Sequence, residues 1–194
     1  MKKLLIISCF AISSLMQANM YPKIGFEPYP NYCFVETGTY MGSGIQFALR
    51  AGFPEIHSIE INSQFVARAR SVFASYKQVR IHQGDSGKIL YQVIKDINCP
   101  ITFWLDGHHG TPDPKGGNNT PLLEELDQIK MHHIKNHTII IDDMHCCGTI
   151  LFDYLTREDI IAKIKEINPA YQISYIPGGD DGEYPDNIMI AQVR

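Results

Sequence analysis

The sequence lacks the marks of a membrane-spanning chain and of a small cross-linked domain. Its one extended apolar run, "LLIISCFAISSLM", is shorter than the roughly 20 residues that a transmembrane helix needs. It holds only five cysteines, and no two of them have the C-x-x-C spacing of redox or zinc motifs. Cys33 and Cys99 stand at the starts of apolar runs and are expected to be small buried residues. A bond between the adjacent Cys146 and Cys147 would close only a strained ring.

A strong charge of one sign is also missing. The chain has 17 Lys and Arg against 21 Asp and Glu, a net charge of -4. Because no basic stripe stands out, the composition argues against a nucleic-acid partner held by phosphate neutralisation. The 194 residues are 44% hydrophobic, which is enough for one well-buried core. We therefore predict a single domain whose partner is a small molecule.

The first residues follow the plan of a secretory signal peptide. "MKK" precedes the apolar run, and small or polar residues follow it, with Ala18 as the cleavage position. We predict a signal peptide over 1–18, a lead-in over 19–31 and a folded domain over 32–194. Lipoprotein-type cleavage at Cys9 and an uncleaved hydrophobic segment packed on the domain stay open as alternatives. In an exported chain, the four later cysteines could also form two disulfides.

Strand-like apolar runs alternate with helix-like segments along the domain. Strands are predicted at 32–37, 56–61, 78–83, 101–106, 137–142, 171–176 and 187–193, and helices at 44–52, 62–76, 86–97, 120–133 and 156–168. The spacing in 62–76 predicts Phe65, Ala69, Val72 and Phe73 on one face, and Thr156 with Asp159 is expected to form a capping box. Such alternation is typical of a mainly parallel sheet with helices on both faces, a three-layer α/β/α sandwich. The last connection, 177–186, is too short for a parallel crossover, so the seventh strand is expected to run antiparallel.

Acidic residues mark the ends of the first five strands. They are Glu36, Glu60, Asp85, Asp106 and Asp142. In open α/β sheets, ligands bind outside the carboxyl ends of the strands. We therefore expect a ligand site at this edge of the sheet.

The turn "ETGTYMGSG" (36–44) carries three glycines, which let a backbone turn sharply and approach a ligand closely. Its spacing departs from the G-x-G-x-x-G fingerprint, which disfavours a nicotinamide cofactor. Glu60 could accept two hydrogen bonds from ribose hydroxyls. Asp85 could accept one from the exocyclic amine of an adenine, or it could simply lie at the N-terminus of the next helix.

The glycine turn, Glu60 and Asp85, followed by "FWLDGHHG" and "IIIDDMH", make the domain similar to class I S-adenosylmethionine-dependent methyltransferases. The resemblance implies strand order 3-2-1-4-5-7-6 with strand 7 antiparallel, a Rossmann-like fold. It also implies that the glycine turn holds the methionine part of the cofactor, Glu60 the ribose and Asp85 the adenine end. The cofactor-binding residues expected are Glu36, Gly38, Thr39, Gly42, Gly44, Glu60, Asp85 and Ser86. Ser86 is also the expected N-cap of its helix.

Within that superfamily, "LDG" and "IIDD" most resemble the macrocin-type metal-dependent O-methyltransferases. This resemblance implies a magnesium site formed by Asp106, Asp142 and Asp143, and O-methylation of a small molecule. Three carboxylates suit a hard divalent cation, which would lower the pKa of an acceptor hydroxyl. Where those enzymes have an acid after "LDG", this sequence has His108. His108 therefore becomes the candidate general base beside Asp106.

Three alternatives stay open. His109 is a second candidate base. A zinc site could instead use soft or borderline ligands, which are His108, His109, His145, Cys146 and Cys147. The domain could also be an exported module that binds a metal or a nucleoside-like ligand without turnover. S-adenosylmethionine is made in the cytosol, so the signal-like start and the cofactor requirement point to different compartments.

Overall fold

A seven-stranded sheet forms the centre of the molecule in the computed structural model, which describes residues 25–108, 110, 118–179 and 182–193. The strand order is 3-2-1-4-5-7-6, and strand 7 runs antiparallel to both of its neighbours. The strands are β1 Cys33–Thr37, β2 Glu55–Glu60, β3 Val79–Gln83, β4 Ile101–Leu105, β5 Thr138–Ile141, β6 Tyr171–Gly178 and β7 Tyr184–Val193. The predicted order and the antiparallel seventh strand are confirmed.

All five predicted helices are present. They are α1 Ser43–Ala51, α2 Ser63–Val72, α3 Ser86–Ile94, α4 Leu122–Met131 and α5 Arg157–Ile167, and short 3-10 turns follow β5 at Met144–Cys146 and Ile150–Phe152. Thr156 and Asp159 form the expected capping box of α5. The prediction of Ser86 as N-cap of α3 is wrong. The cap is Asp85, which keeps an extended backbone and accepts a hydrogen bond from the Gly87 N–H.

The buried face of α2 also differs from the prediction. The sequence suggested Phe65, Ala69, Val72 and Phe73, but the structure buries Val66, Ala69 and Phe73 and leaves Val72 50% exposed. Both sets fit a helical repeat, so the spacing alone does not choose between them. Packing of α2 against the sheet fixes the rotation of the helix about its axis.

Two apolar layers lie on the two faces of the sheet. Helices α1 and α2 cover one face, and α3, α4 and α5 cover the other. Phe26, from the segment before β1, closes the first layer, with ring centroids 4.8 Å from Phe34 and 5.3 Å from Trp104. Full burial of such a ring stabilises a fold by about 1.5–3 kcal/mol. Thus the described part of the lead-in packs on the sheet.

No helix among the described residues is long and apolar enough to cross a membrane. The predicted signal peptide and Cys9 lie outside the described residues. Within that described part, Cys33, Cys99, Cys146 and Cys147 are free thiols, so the structure does not form the two disulfides left open above.

Candidate functional site

The carboxyl ends of the first five strands meet around a cavity of about 920 Å³. The described residues that line it are Gly38, Tyr40, Glu60, Ile61, Asn62, Phe65, Gly84, Asp85, Ser86, Gly87, Lys88, Asp106, Gly107, His108, Gly110, Asn118, Asn119, Pro121, Glu124 and Asp143. Of the expected cofactor-binding residues, the lining includes Gly38, Glu60, Asp85 and Ser86, but not Glu36, Thr39, Gly42 or Gly44. The last four do not line the cavity, and their role toward a cofactor stays a prediction.

Close approaches within the protein explain the glycines of this turn. Gly38 has φ +82°, and a Cβ there would lie 2.1 Å from the carbonyl oxygen of Asp106. A Cβ at Gly44 would lie 1.9 Å from Oε2 of Glu36. At Gly42 it would meet the Phe73 ring at 2.6 Å. The missing side chains thus let the turn lie directly against the end of β4 and over a buried carboxyl group.

Replacing Gly38 by Ala is expected to damage the cleft more than the fold. The new Cβ is incompatible with the Asp106 carbonyl, and a left-handed backbone costs a non-glycine residue roughly 1–2 kcal/mol. The turn must therefore move away from β4. We expect a lower melting temperature, measured by thermal unfolding. We also expect loss of binding of S-adenosylmethionine, the cofactor that the sequence resemblance implies, measured by calorimetry. Gly52→Ala is the matched control, because Gly52 also has a positive φ but a Cβ there meets nothing within 4 Å. Equal losses of cofactor binding in the two variants would contradict this reason.

Glu36 is buried beneath the turn rather than exposed to the cleft. Its Oε1 accepts a hydrogen bond of 2.6 Å from the Ser58 hydroxyl, and the buried Thr39 hydroxyl contacts the same Ser58 side chain. Burial raises the pKa of Glu36 to about 8, and the hydrogen bond from Ser58 only partly opposes that shift. Glu36 is therefore protonated at neutral pH and supports the turn as a neutral group.

This raised pKa predicts a pH-dependent stability. The folded-state pKa lies above the ordinary value of 4.5, so the stabilising contribution is full below pH 4.5 and is lost as pH rises through about 8. Glu36→Gln should remove this loss. The free energy of unfolding of the variant minus that of wild type should rise by on the order of 2–4 kcal/mol as the pH goes from about 5 to about 8.5. Chemical unfolding of both proteins measures the gain, with the exposed Glu158→Gln as control. If the free energy of unfolding changed with pH in the same way in wild type and Glu36→Gln, the raised pKa of Glu36 would be contradicted.

Glu60 is held as a preset acceptor at the edge of the cleft. Its Oε2 accepts from the Tyr40 N–H at 2.9 Å, and its Oε1 accepts from the Asn62 N–H at 2.7 Å. Each carboxylate oxygen can accept a second hydrogen bond. The carboxylate thus joins the β1–α1 and β2–α2 turns and keeps acceptor capacity toward the cavity. The Tyr40 ring meets the Phe65 ring edge-on at 5.0 Å and adds an aromatic wall.

Asp85 has two roles in the structure. It caps α3 through the Gly87 N–H at 3.0 Å and pairs with the Lys88 ammonium at 2.7 Å. It also lines the cleft. The simpler interpretation of Asp85, as a residue of the helix N-terminus, is therefore present, and the ligand role stays a prediction.

Glu125 on α4 is a buried acid that the sequence analysis missed. It accepts a hydrogen bond of 2.5 Å from the Ser86 hydroxyl. Gly107 lies close to it, so that a Cβ at Gly107 would be 3.0 Å from Oε1 of Glu125. Burial raises the pKa of Glu125 to about 7, against hydrogen bonds from Ser86 and Thr37. Its spacing from Leu122 and Ile129 places it on the apolar face of the helix, and this spacing was the available signal.

A cluster of possible cation ligands lies at the ends of β4 and β5. One ligand atom from each of Asp106, His108 and Asp143 lies within 4.8 Å of the other two. His108 Nε2 is 3.3 Å from Asp143 Oδ2, and His108 Nδ1 is 3.7 Å from Asp106 Oδ1. Phe152 stacks on the His108 ring at 5.2 Å and helps to fix it. We call Asp106, His108 and Asp143 the acidic triad. His109 lies outside the described residues.

Asp142 lies next to this triad but is not one of its members. Its Oδ1 accepts from the Asp143 N–H at 2.8 Å, and the buried Asn187 side chain contacts both Asp142 and Asp143, at 3.5 and 3.3 Å. Burial raises the pKa of Asp142 to about 7, and the neighbouring charge of Asp143 adds to this. Burial, followed by the charges of Asp142 and Asp143, holds the pKa of Asp106 well above its usual range. Several carboxyl groups are therefore crowded at the ends of β4 and β5.

The zinc alternative gains no support from the described residues. The His145 Nδ1 lies 2.6 Å from Asn187 Oδ1, and its ring stacks on Tyr184 at 4.1 Å. Within the part of the chain that the structure describes, two groups bring three ligand atoms together, the acidic triad and a set at the other end of the strands. Neither includes His145, Cys146 or Cys147.

One carboxylate ties the wall of the cleft to the segment after β5. Asp153 accepts from the backbone N–H groups of Asn119 and Thr120 at 2.8 and 3.1 Å, and from the Asn119 side chain at 2.7 Å. The segment before α4 and the segment after β5 are thus connected.

Comparisons with known proteins complete the description. No family model matches the chain, and no curated protein matches it by sequence. An O-methyltransferase from Bacillus cereus, solved with S-adenosylhomocysteine, has 13% identity and a TM-score of 0.61, over 98% of this chain and 94% of that one. The O-methyltransferase TomG from Streptomyces achromogenes, solved with S-adenosylmethionine, has 16% identity and a TM-score of 0.59, over 87% and 75%. The S-adenosylhomocysteine-bound Podospora anserina methyltransferase PaMTH1 has 11% identity and a TM-score of 0.56, over 100% of both chains. The chain therefore has the Rossmann-like fold of these methyltransferases.

Proposed function

We propose that the chain is an S-adenosylmethionine-dependent methyltransferase that methylates an oxygen of a small molecule with the help of a divalent cation. One observation carries the proposal. A single cleft has the preset acceptor Glu60 and the acidic triad Asp106, His108 and Asp143 in its lining. Solved structures of the same fold from Bacillus cereus and Streptomyces achromogenes contain the demethylated and the intact cofactor.

The residues present fit the cofactor. The cavity of about 920 Å³ lies within the usual range of roughly 300–1,000 Å³ for small-molecule sites. Glu60 would accept hydrogen bonds from the ribose hydroxyls, since its orientation is already fixed by two backbone donors. Gly38 would let the methionine part approach the β1–α1 turn. Asp85 and Ser86 would border the adenine end. The bound cofactor supplies an electrophilic methyl group.

The acidic triad also fits a divalent cation. Two carboxylates and an imidazole suit a first-row divalent metal, and magnesium usually keeps several waters beside one or two carboxylates. The set differs from the three carboxylates expected from sequence, because His108 takes the place of Asp142. The crowded acids match such a site, since a bound dication would favour the charged form of Asp106, whose pKa is raised by burial and then by the neighbouring acids. When bound, the cation would lower the pKa of an acceptor hydroxyl.

The chain's own residues supply positioning and a proton acceptor. Asp106 and Asp143 face His108 from both sides, and Phe152 covers one face of its ring. A neutral imidazole has a single lone-pair nitrogen, because its other nitrogen carries a hydrogen. His108 would therefore serve either as a ligand of the cation or as the base that takes the proton of an acceptor hydroxyl, and not as both at once.

The test is methyl transfer from labelled S-adenosylmethionine to a panel of small hydroxyl compounds, including catechols and sugars, with magnesium or with a chelator. We expect labelled product that requires the divalent cation. Transfer that is undiminished by chelator would remove the cation from the proposal. Cofactor binding without transfer to any compound would favour the alternative, a binding module without turnover, which the signal-like N-terminus keeps open.

A further inference from the structure

A second group of metal-capable side chains lies at the amino-terminal ends of β1 and β2. Cys33 begins β1 and is in register with Glu55, which begins β2. His57 follows Glu55 by two residues, so alternation along the strand places both side chains on the same face of the sheet. One ligand atom from each of Cys33, Glu55 and His57 lies within 4.8 Å of the other two. These side chains form what we call the lower cluster.

We propose that the lower cluster binds a transition-metal ion of the zinc type, through Cys33 Sγ, a Glu55 carboxylate oxygen and His57 Nε2. Thiolate, imidazole and carboxylate are the three ligand types that zinc uses in proteins. Ordinary zinc bond lengths place a sulfur and a nitrogen ligand about 3.6 Å apart. Small side-chain rotations therefore close the cluster around an ion.

His57 has a hydrogen-bond partner on its other ring nitrogen, as a metal-binding histidine needs. Its Nδ1 lies 2.9 Å from Nε2 of His82, and the two rings are stacked. With an ion on Nε2, the Nδ1–H can donate to His82, which fixes the tautomer and the ring orientation. Without an ion, the Nε2–H donates instead to Glu55 at 3.1 Å. His82 and Glu55 thus hold the His57 ring both with and without a bound ion.

Three protein ligands, a sulfur, a nitrogen and an oxygen, would leave the fourth position of a tetrahedral site to a water molecule.

Arg80 opposes cation binding at the lower cluster. Its guanidinium pairs with Glu55 Oε1, the oxygen that also faces His57. The Arg80 side chain is largely exposed and can move into solvent. A bound ion would therefore compete with Arg80 for Glu55. Removal of Arg80 should strengthen metal binding.

The lower cluster is separate from the cleft. Cys33 and Thr37 are at opposite ends of a five-residue strand, about 13 Å apart. The cleft begins after Thr37. An ion at the lower cluster would join β1 and β2, and its role would be structural rather than catalytic.

Cobalt titration of the reduced full-length protein tests this proposal, because cobalt(II) takes zinc sites and its thiolate bonds give a near-ultraviolet charge-transfer band. We expect a saturable band with one equivalent of cobalt, reversed by zinc. Cys33→Ser should abolish it, Glu55→Gln should weaken cobalt affinity by about tenfold or more, and Arg80→Met should strengthen it several-fold. Cys147→Ser should leave it unchanged. The acidic triad has no thiol and cannot give this band, so Asp143→Asn should also leave it unchanged.

Several results would overturn the proposal. They are no thiolate band in the wild type, a band that survives in a folded Cys33→Ser protein, and unchanged cobalt affinity in Glu55→Gln. The last result keeps the test decisive if Cys33→Ser does not fold, since the Glu55 side chain is partly exposed and its replacement leaves the buried strand intact. None of these outcomes depends on methyl transfer.

Discussion

Replacing Asp143 by Asn is expected to lower cation-dependent methyl transfer by at least about 100-fold while leaving cofactor affinity within a few-fold of wild type. The substitution removes one charged ligand of the acidic triad and the partner of His108 Nε2 at 3.3 Å. Losses of 10–100-fold already follow the removal of residues that only support a metal ligand. Asn tolerates the left-handed backbone at this position, where φ is 54°, so the local fold should persist. Activity measured against magnesium concentration gives the result.

Asp142→Asn is the matched control and decides between two ligand sets. The sequence resemblance assigns Asp142 to the metal, whereas in the structure it accepts hydrogen bonds from Asp143 and Asn187 beside the triad. If the structural set holds, Asp142→Asn should reduce activity far less than Asp143→Asn. A reversed order would restore the sequence-based set. Wild-type activity in Asp143→Asn would contradict the cation role.

Replacing Glu60 by Ala is expected to weaken S-adenosylmethionine binding by about 100-fold or more. Hydrogen bonds to a charged acceptor contribute about 1.5–3 kcal/mol each, and Glu60 would make two of them to the ribose. The change also removes the acceptor of the Tyr40 and Asn62 N–H groups, so some loosening of both turns adds to the loss. Calorimetry measures the affinity, and circular dichroism checks the fold. The exposed Glu158→Ala is the control for the charge change. A folded Glu60→Ala protein with wild-type affinity would remove Glu60 from the cofactor site.

The sequence predicted the sheet well because strand alternation leaves little freedom. The buried run of β5 indicates a parallel strand, and the short connection before β7 makes β7 antiparallel, between β5 and the edge strand β6. Helix ends and helix rotation were harder to predict. Asp85 and Ser86 can both cap a helix, and only the backbone shows that Asp85 is the residue still extended. Val66 and Val72 both fit an apolar stripe, and only packing shows which one is buried.

The candidate site could be predicted where the direction of the strands alone decides which residues lie together. Acids at the ends of parallel strands must share one edge, and the structure does place Glu60, Asp85 and Asp106 around one cleft. The grouping of His108, rather than Asp142, with Asp106 and Asp143 was not predictable from the sequence. It depends on the left-handed turn at Asp143, which directs that carboxylate toward His108. Two adjacent acids in a sequence do not reveal which of them faces a neighbouring strand.

The methyltransferase proposal is tested most directly by titrating S-adenosylmethionine into the purified full-length protein in a calorimeter. The predicted result is saturable binding with one molecule per chain, retained in Asp143→Asn and strongly weakened in Glu60→Ala. Absence of binding at millimolar cofactor would contradict the proposal, whatever the acidic triad binds.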